Sequence, residues 1–119
     1  MIEAPPRVTL EEERWFDESE RLLAALSHAE PRILASQDRH ELHRLCEFYR
    51  KVAKEARGLT APTARAEDAR RPLELACIAF ARAADQKTRN FTGIWTQSMR
   101  DGIAFYDQCR EFYNESASG

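Results

Sequence analysis

Three side chains of the types that bind metals or move protons stand close together in this sequence. His40, His43 and Glu47 are spaced by three and four residues. In an α-helix, where each residue turns by about 100°, all three project from one side. Imidazole and carboxylate suit zinc, iron or nickel, but the spacing matches neither H-E-x-x-H nor the paired Glu-x-x-His of di-iron bundles. Arg44 projects nearby and would repel a cation. The pattern favours a solvated polar face, with a metal-binding bundle as the weaker alternative.

The residues that could act as nucleophiles lack the neighbours that such chemistry needs. No serine lies in a G-x-S-x-G turn, and the four glycines form no phosphate-binding loop. Cys46 lies near His43, but no third group is placed to orient the pair. The three cysteines, which include Cys77 and Cys109, form no C-x-x-C motif and are odd in number, so we expect buried free thiols. We predict a protein without enzymatic activity and without a cofactor.

Charge is distributed unevenly along a chain whose net charge is −2. Residues 1–38 hold 4 arginines and 9 acids (−5), residues 39–90 hold 12 basic residues and 7 acids (+5), and residues 91–119 hold 2 arginines and 4 acids (−2). Acidic and basic helices could simply lie side by side. Alternatively, the segment 39–71 forms a basic surface that binds nucleic acid or an acidic partner. The candidate residues of that surface are Arg44, Arg50, Lys51, Lys54 and Arg57.

Two observations argue against nucleic acid as the partner of this basic surface. The sequence pI is near 5.9, so the whole chain supplies no strongly positive field. No helix-turn-helix, zinc-finger or RNP-type pattern occurs either. Nucleic-acid binding is therefore kept as an alternative only.

Composition indicates one helical domain. The chain has 119 residues, of which 43% are hydrophobic and 32% charged. This is enough apolar material for a core without disulfide bonds or structural metal ions. No apolar run approaches the roughly 20 residues that span a bilayer. The N-terminus carries acids and lacks the basic and apolar regions of a secretory signal. We expect a cytoplasmic protein with no membrane partner.

The first predicted helix covers residues 10–29. A proline pair precedes it, so residues 1–8 are expected to form an extended arm. Thr9 and Glu12 have the spacing of a capping box, in which each side chain bonds to a free backbone amide of the helix entry. Pro31 is expected to end this helix.

The second predicted helix begins either near Pro31 or at Asp38, which is a favourable N-cap residue. It ends at Gly58, where we expect the left-handed conformation that closes many helices. Its apolar positions recur in steps of three and four residues. These positions are Leu42, Leu45, Tyr49, Val52 and Ala56. Residues 59–64 read as a loop.

The third predicted helix contains Pro72, which implies either two short helices or one kinked helix. A polar segment follows, and we expect a turn between Asn90 and Gly93. The alternative is one kinked helix of some forty residues reaching Asn114, about 60 Å long at 1.5 Å per residue, which would require dimerisation. The tail, residues 115–119, is expected to fray.

The C-terminal segment carries the broadest apolar stripe. Steps of four and three residues connect Phe91, Trp95, Ser98, Gly102, Phe105, Cys109 and Phe112. Glycine inside a helix costs about 1 kcal/mol relative to alanine, so Gly102 calls for a close approach of another backbone or side chain. That approach is either intrachain packing or a seam with a second chain, for which aromatic anchors are typical. The predicted seam consists of Phe91, Trp95, Met99, Gly102, Phe105 and Tyr106.

These patterns together predict an all-α fold, an antiparallel up-down bundle of about four helices in a single domain over residues 1–119. The function they favour is protein–protein interaction, as an adaptor, a regulator or a chaperone-like helper, with a homodimer expected. Nucleic-acid binding and metal binding are the two alternatives.

Overall fold

The computed structural model describes residues 10–89 and 93–118, with side chains up to Phe112. Five helices make up this part of the chain: α1 (Leu10–Leu26), α2 (Ala29–Ala35), α3 (Arg39–Gly58), α4 (Ala64–Arg89) and α5 (Ile94–Ser118). Four of them are long, α2 has only seven residues, and no strand occurs in the described residues. The predicted all-α bundle of about four helices is confirmed.

The long helices run alternately up and down. Arg57 of α3 pairs with Glu74 of α4, while Tyr49 lies 6.0 Å from Phe80 between ring centroids, so residue numbers rise on one helix as they fall on the other. The same relation joins α4 and α5, because the Cys109 thiol lies 3.6 Å from the Ala69 carbonyl oxygen and Ser98 bonds to Gln86. Both hairpins are therefore antiparallel.

Helix α4 is the central element of the bundle. It packs most extensively against α3 and α5, which lie on its two sides, and it also touches α1 and α2. Its buried positions are mostly alanines, which let neighbouring helices approach closely. At one end, Trp15 and Phe16 of α1 form a separate small cluster with Ala66 and Ala69. A helix surrounded in this way loses the simple one-sided pattern of an amphipathic surface helix.

The first helix ends earlier than predicted, and the prediction that Pro31 ends it is wrong. Helix α1 stops at Leu26, and the Ser27 hydroxyl donates to the Ala24 carbonyl oxygen at 2.7 Å. Pro31 instead occupies the third position of the separate helix α2. Proline is tolerated there because the first four amides of a helix have no intrahelical acceptor.

The start of α3 settles the choice between two predicted positions. Asp38 is the N-cap, and its carboxylate accepts a hydrogen bond of 2.9 Å from the backbone amide of His40. The helix ends at Gly58 as predicted, but the expected left-handed conformation is wrong, because Gly93 is the only described glycine with positive φ. The following loop is closed by Thr63, whose hydroxyl oxygen accepts from the Ala66 amide at 3.1 Å.

Helix α4 passes through Pro72 as one helix, and α4 and α5 are two separate helices. Gly93, with φ of 96°, directly precedes α5 and cannot continue a right-handed helix. The alternative of one long C-terminal helix is therefore wrong, and the reason for dimerisation that it supplied disappears. The prediction of a frayed tail over residues 115–119 is wrong for residues 115–118, because α5 extends to Ser118. Gly119, Thr9 of the predicted capping box and the extended arm lie outside the described residues.

Candidate functional site

Gly102 is covered from within the same chain. A Cβ atom at this position would lie 2.8 Å and 2.9 Å from Cε1 and Cδ1 of Phe80 on α4. Carbon atoms in contact are normally separated by about 3.5 to 4.0 Å. Between the two interpretations of this glycine, the structure shows intrachain packing.

The other residues of the predicted seam differ in how much surface they leave free. Met99 is buried, whereas Trp95, Phe105 and Tyr106 are half-buried and pack against the main core. The Tyr106 ring also has the guanidinium of Arg110 5.9 Å from its centroid. Phe91 lies outside the described residues. A contact with another chain in this region stays a prediction.

Trp95 belongs to an internal anchor that the sequence did not reveal. The ammonium group of Lys87 is buried and donates hydrogen bonds of 2.6 Å and 3.0 Å to the carbonyl oxygens of Ile33 and Leu34. It also lies 4.9 Å from the centroid of the Trp95 ring, a favourable cation–π distance. Burial lowers the pKa of Lys87. One side chain thus joins α2, α4 and α5, although it stands in a segment without any apolar residue.

The candidate metal residues lie on an exposed face of α3. His43 Nε2 lies 3.8 Å from a carboxylate oxygen of Glu47, the two side chains are 70% and 62% exposed, and His40 is also exposed. Within the described ranges, no group of three or more His, Cys, Asp or Glu side chains is placed to hold a metal ion. This geometry provides no enclosed ligand set.

The three cysteines are buried in the core. Burial raises the pKa of the Cys77 and Cys109 thiols to about 12 and also raises that of Cys46. A thiol with a raised pKa carries little of the thiolate that attacks electrophiles or binds metals. The cysteines therefore act as small apolar residues of the core.

The basic residues of α3 divide between two sides of the helix. Arg50, Lys54 and Arg57 line a groove of about 620 Å³ between α3 and α4. Arg44 lies on another side, beside Phe48, and its Nε atom approaches the His40 carbonyl oxygen at 3.5 Å. Lys51 is exposed and is not part of the groove lining. Of the five residues of the predicted basic surface, only Arg50, Lys54 and Arg57 therefore lie together.

Helix α4 supplies the opposite wall of this groove. Arg82 adds a fourth cation, Asp85 adds one carboxylate, and Ile78 forms part of the floor. Ile78 is two residues from Phe80, or about 200° around the helix axis, so the groove faces away from the side on which Phe80 packs. Every described residue that lines it belongs to α3 or α4. We refer to this site as the α3–α4 groove.

Three cations of the groove have no acidic partner among the residues that the structure describes. Arg57 pairs with Glu74 at 3.5 Å, and Asp85 pairs with Arg89 at 3.4 Å. By contrast, no hydrogen bond or ion pair to another described residue satisfies Arg50, Lys54 or Arg82. The floor between them is apolar, with Ala53 and Ala81 buried. The groove therefore combines unpaired positive charge with a narrow apolar strip.

The comparisons with known proteins leave this site without a relative. No family model matches the chain, and neither a curated protein nor a solved structure matches it. Among the described helices, none is both long and apolar enough to cross a membrane.

Proposed function

We propose that this chain is a non-enzymatic binding protein, an adaptor or regulator, which holds an acidic segment of another protein in its α3–α4 groove. The observation that carries the proposal is the set of three unpaired cations around an apolar floor. Charge of one sign in a concave site raises the local concentration of partners of the other sign and speeds their association. The apolar floor adds burial that a purely ionic contact lacks.

A polypeptide fits this groove better than nucleic acid does. Tracking a nucleic-acid backbone takes a row of cations along a strand, and stacking of bases takes exposed aromatic rings. The groove lining contains no aromatic side chain. Acidic side chains interspersed with apolar ones match both features of the site.

The predicted homodimer is not required by this proposal. Met99 and Gly102 are occupied inside the chain, so the predicted seam offers a second copy less than its composition suggests. The mass of the wild type, measured by light scattering over a range of concentrations, tests self-association directly.

Two matched variants test the binding role of the groove. The groove variant reverses its three unpaired cations by the substitutions Arg50→Glu, Lys54→Glu and Arg82→Glu. The control variant reverses three exposed cations elsewhere by Arg44→Glu, Lys51→Glu and Arg100→Glu. Both change the same residue types and the same amount of charge. All six positions are exposed, and we expect both proteins to keep the wild-type helical circular dichroism.

The three proteins are immobilised and exposed to extract of the source cells at low salt. We expect a protein that is retained by the wild type and by the control variant, released by the groove variant, and unaffected by nuclease. Identical retention on all three proteins would refute the groove as the binding site. Retention that nuclease abolishes would favour the nucleic-acid alternative.

A further inference from the structure

We infer that the occupant of the α3–α4 groove is an amphipathic α-helix, with apolar residues facing the floor and carboxylates on both flanks. This inference rests on the proposed function and specifies its partner. It follows from three properties of the groove: the scarcity of free backbone groups in its walls, the spacing of its cations and the small size of its floor residues.

Apart from the end of α3, the walls of the groove offer side chains but no backbone groups. Arg57 is in the last turn of α3, and the other residues that line the groove lie further inside α3 and α4, where amides and carbonyls bond within the helix. An extended segment laid over the apolar floor would leave its own amides and carbonyls without partners, which costs free energy. A helix satisfies these groups internally. The groove thus suits helix-in-groove recognition and not strand addition.

The cations of α3 repeat at the interval of a helical partner. Arg50 and Lys54 are four residues apart, which places their Cα atoms about 6 Å apart along the axis. Carboxylates at positions i and i+4 of a second helix have the same spacing. Arg82 stands on the opposite wall and would meet a carboxylate on the other flank. The expected ligand has acids on both edges of one apolar stripe.

The floor allows a second helix to approach closely. Ala53 and Ala81 are 8% and 3% exposed, so they form a shallow floor, and Ile78 is the only large apolar side chain in the lining. Helix axes in contact are about 8 to 10 Å apart, and small residues permit the lower end of that range. Leucine or methionine side chains on the ligand would fill the space beside Ile78.

Two labelled peptides of about 20 residues, identical in composition, test this inference by fluorescence anisotropy with the full chain. One carries apolar residues at helical spacing with glutamates on both flanks, and a covalent staple on its far face locks the helix. The other carries the same residues and staple with two of its positions exchanged so that prolines fall in the centre, where they break the helix. The peptides are prepared in several registers of the flanking glutamates, and a duplex DNA of equal charge is the third probe.

In one or more registers, we expect the helical peptide to bind at least about tenfold more tightly than the peptide with central prolines. This difference corresponds to one decade in Kd. The groove variant should lose this binding by a similar factor, while the control variant should keep it. Equal binding of both peptides that depends on the groove would overturn the helical occupant and leave the proposed function intact. No groove-dependent binding of any peptide would overturn both.

Two further outcomes identify other occupants and so refute the inference. The duplex DNA could bind more tightly than the helical peptide and lose its binding in the groove variant, which would assign the site to nucleic acid. The wild type could instead be a dimer while the groove variant is a monomer, which would assign the groove to a second copy of the chain.

Discussion

Replacing Gly102 by alanine adds one methyl group where α5 lies against the ring of Phe80. Two ring carbons would be 2.8 Å and 2.9 Å from the new Cβ atom and a third 3.1 Å. The ring cannot easily retreat, because Phe80 is 2% exposed and Tyr49 stands 6.0 Å behind it between ring centroids. Overpacking of this kind costs about 1 to 3 kcal/mol, and contact with three rigid atoms places it in the upper half of that range.

Alanine also favours the helix by about 1 kcal/mol relative to glycine. The clash outweighs this gain, and we expect Gly102→Ala to lower the free energy of unfolding by about 1 to 2 kcal/mol. Gly58→Ala is the matched control, since no atom lies within 4 Å of its Cβ position and its φ is not positive. That variant should be neutral or more stable by up to about 1 kcal/mol. Urea unfolding followed by circular dichroism measures both.

A double-mutant cycle tests whether the Phe80 ring is the cause. In a Phe80→Leu background the ring is absent, so Gly102→Ala should cost less stability than it does in the wild type. The double variant should therefore lose less stability than the sum of the losses of the two single variants. If Gly102→Ala proves as stable as Gly58→Ala, or if its cost is unchanged without the ring, the close-packing explanation of this glycine is wrong.

Three further predictions concern buried polar groups. Tyr49 is fully buried and its hydroxyl meets no hydrogen-bond partner among the described side chains and backbone, so Tyr49→Phe should raise the free energy of unfolding by about 1 kcal/mol in urea titrations; lower stability would contradict this. Burial raises the pKa of Tyr49 to about 12 from an ordinary value near 10, so between these pH values the unfolded chain releases the phenol proton that the folded chain keeps, and the wild type loses stability as pH rises from 10 toward 12; the stability advantage of Tyr49→Phe should therefore grow in that window. Lys87→Met removes the donor to two carbonyl oxygens and should cost about 1.5 to 3 kcal/mol, while Lys51→Met, at an exposed position, should stay within about 0.5 kcal/mol. The three thiols should react with a disulfide reagent at about pH 8 only as the chain unfolds, because their pKa values are raised and they are buried; rapid labelling of the folded protein would refute this.

Local sequence patterns predicted the helices well where a helix has one buried side and one side exposed to solvent. The period of α3 and the cap at Asp38 depend on residues within four positions, and both agree with the structure. The prediction at Pro31 failed because proline is compatible with the first turn as well as with a break, and the sequence alone does not distinguish the two. Pro72 left the same ambiguity, which the surrounding helices resolve by holding α4 together.

The candidate site was only half predictable. The cations of α3 were identified from charge counts, but which of them share a side with Arg82 depends on the rotation of α3 against α4. No local sequence pattern indicated that Lys87 is buried, because its partners are carbonyl oxygens at the end of α2, 53 and 54 residues away in the chain. No pattern of local period carries information at that separation.

The sequence by itself determined that this chain is helical, that α3 ends at Gly58, and that a glycine at position 102 needs a close neighbour. Each of these follows from backbone geometry and side-chain period over a few residues. The tertiary structure decided that the neighbour is Phe80, that α4 is enclosed, and that Arg50, Lys54 and Arg82 converge with no acidic partner in the described part of the chain. The physical reason is that helix packing brings together side chains that are distant in the chain, through angles and distances that local propensity does not set.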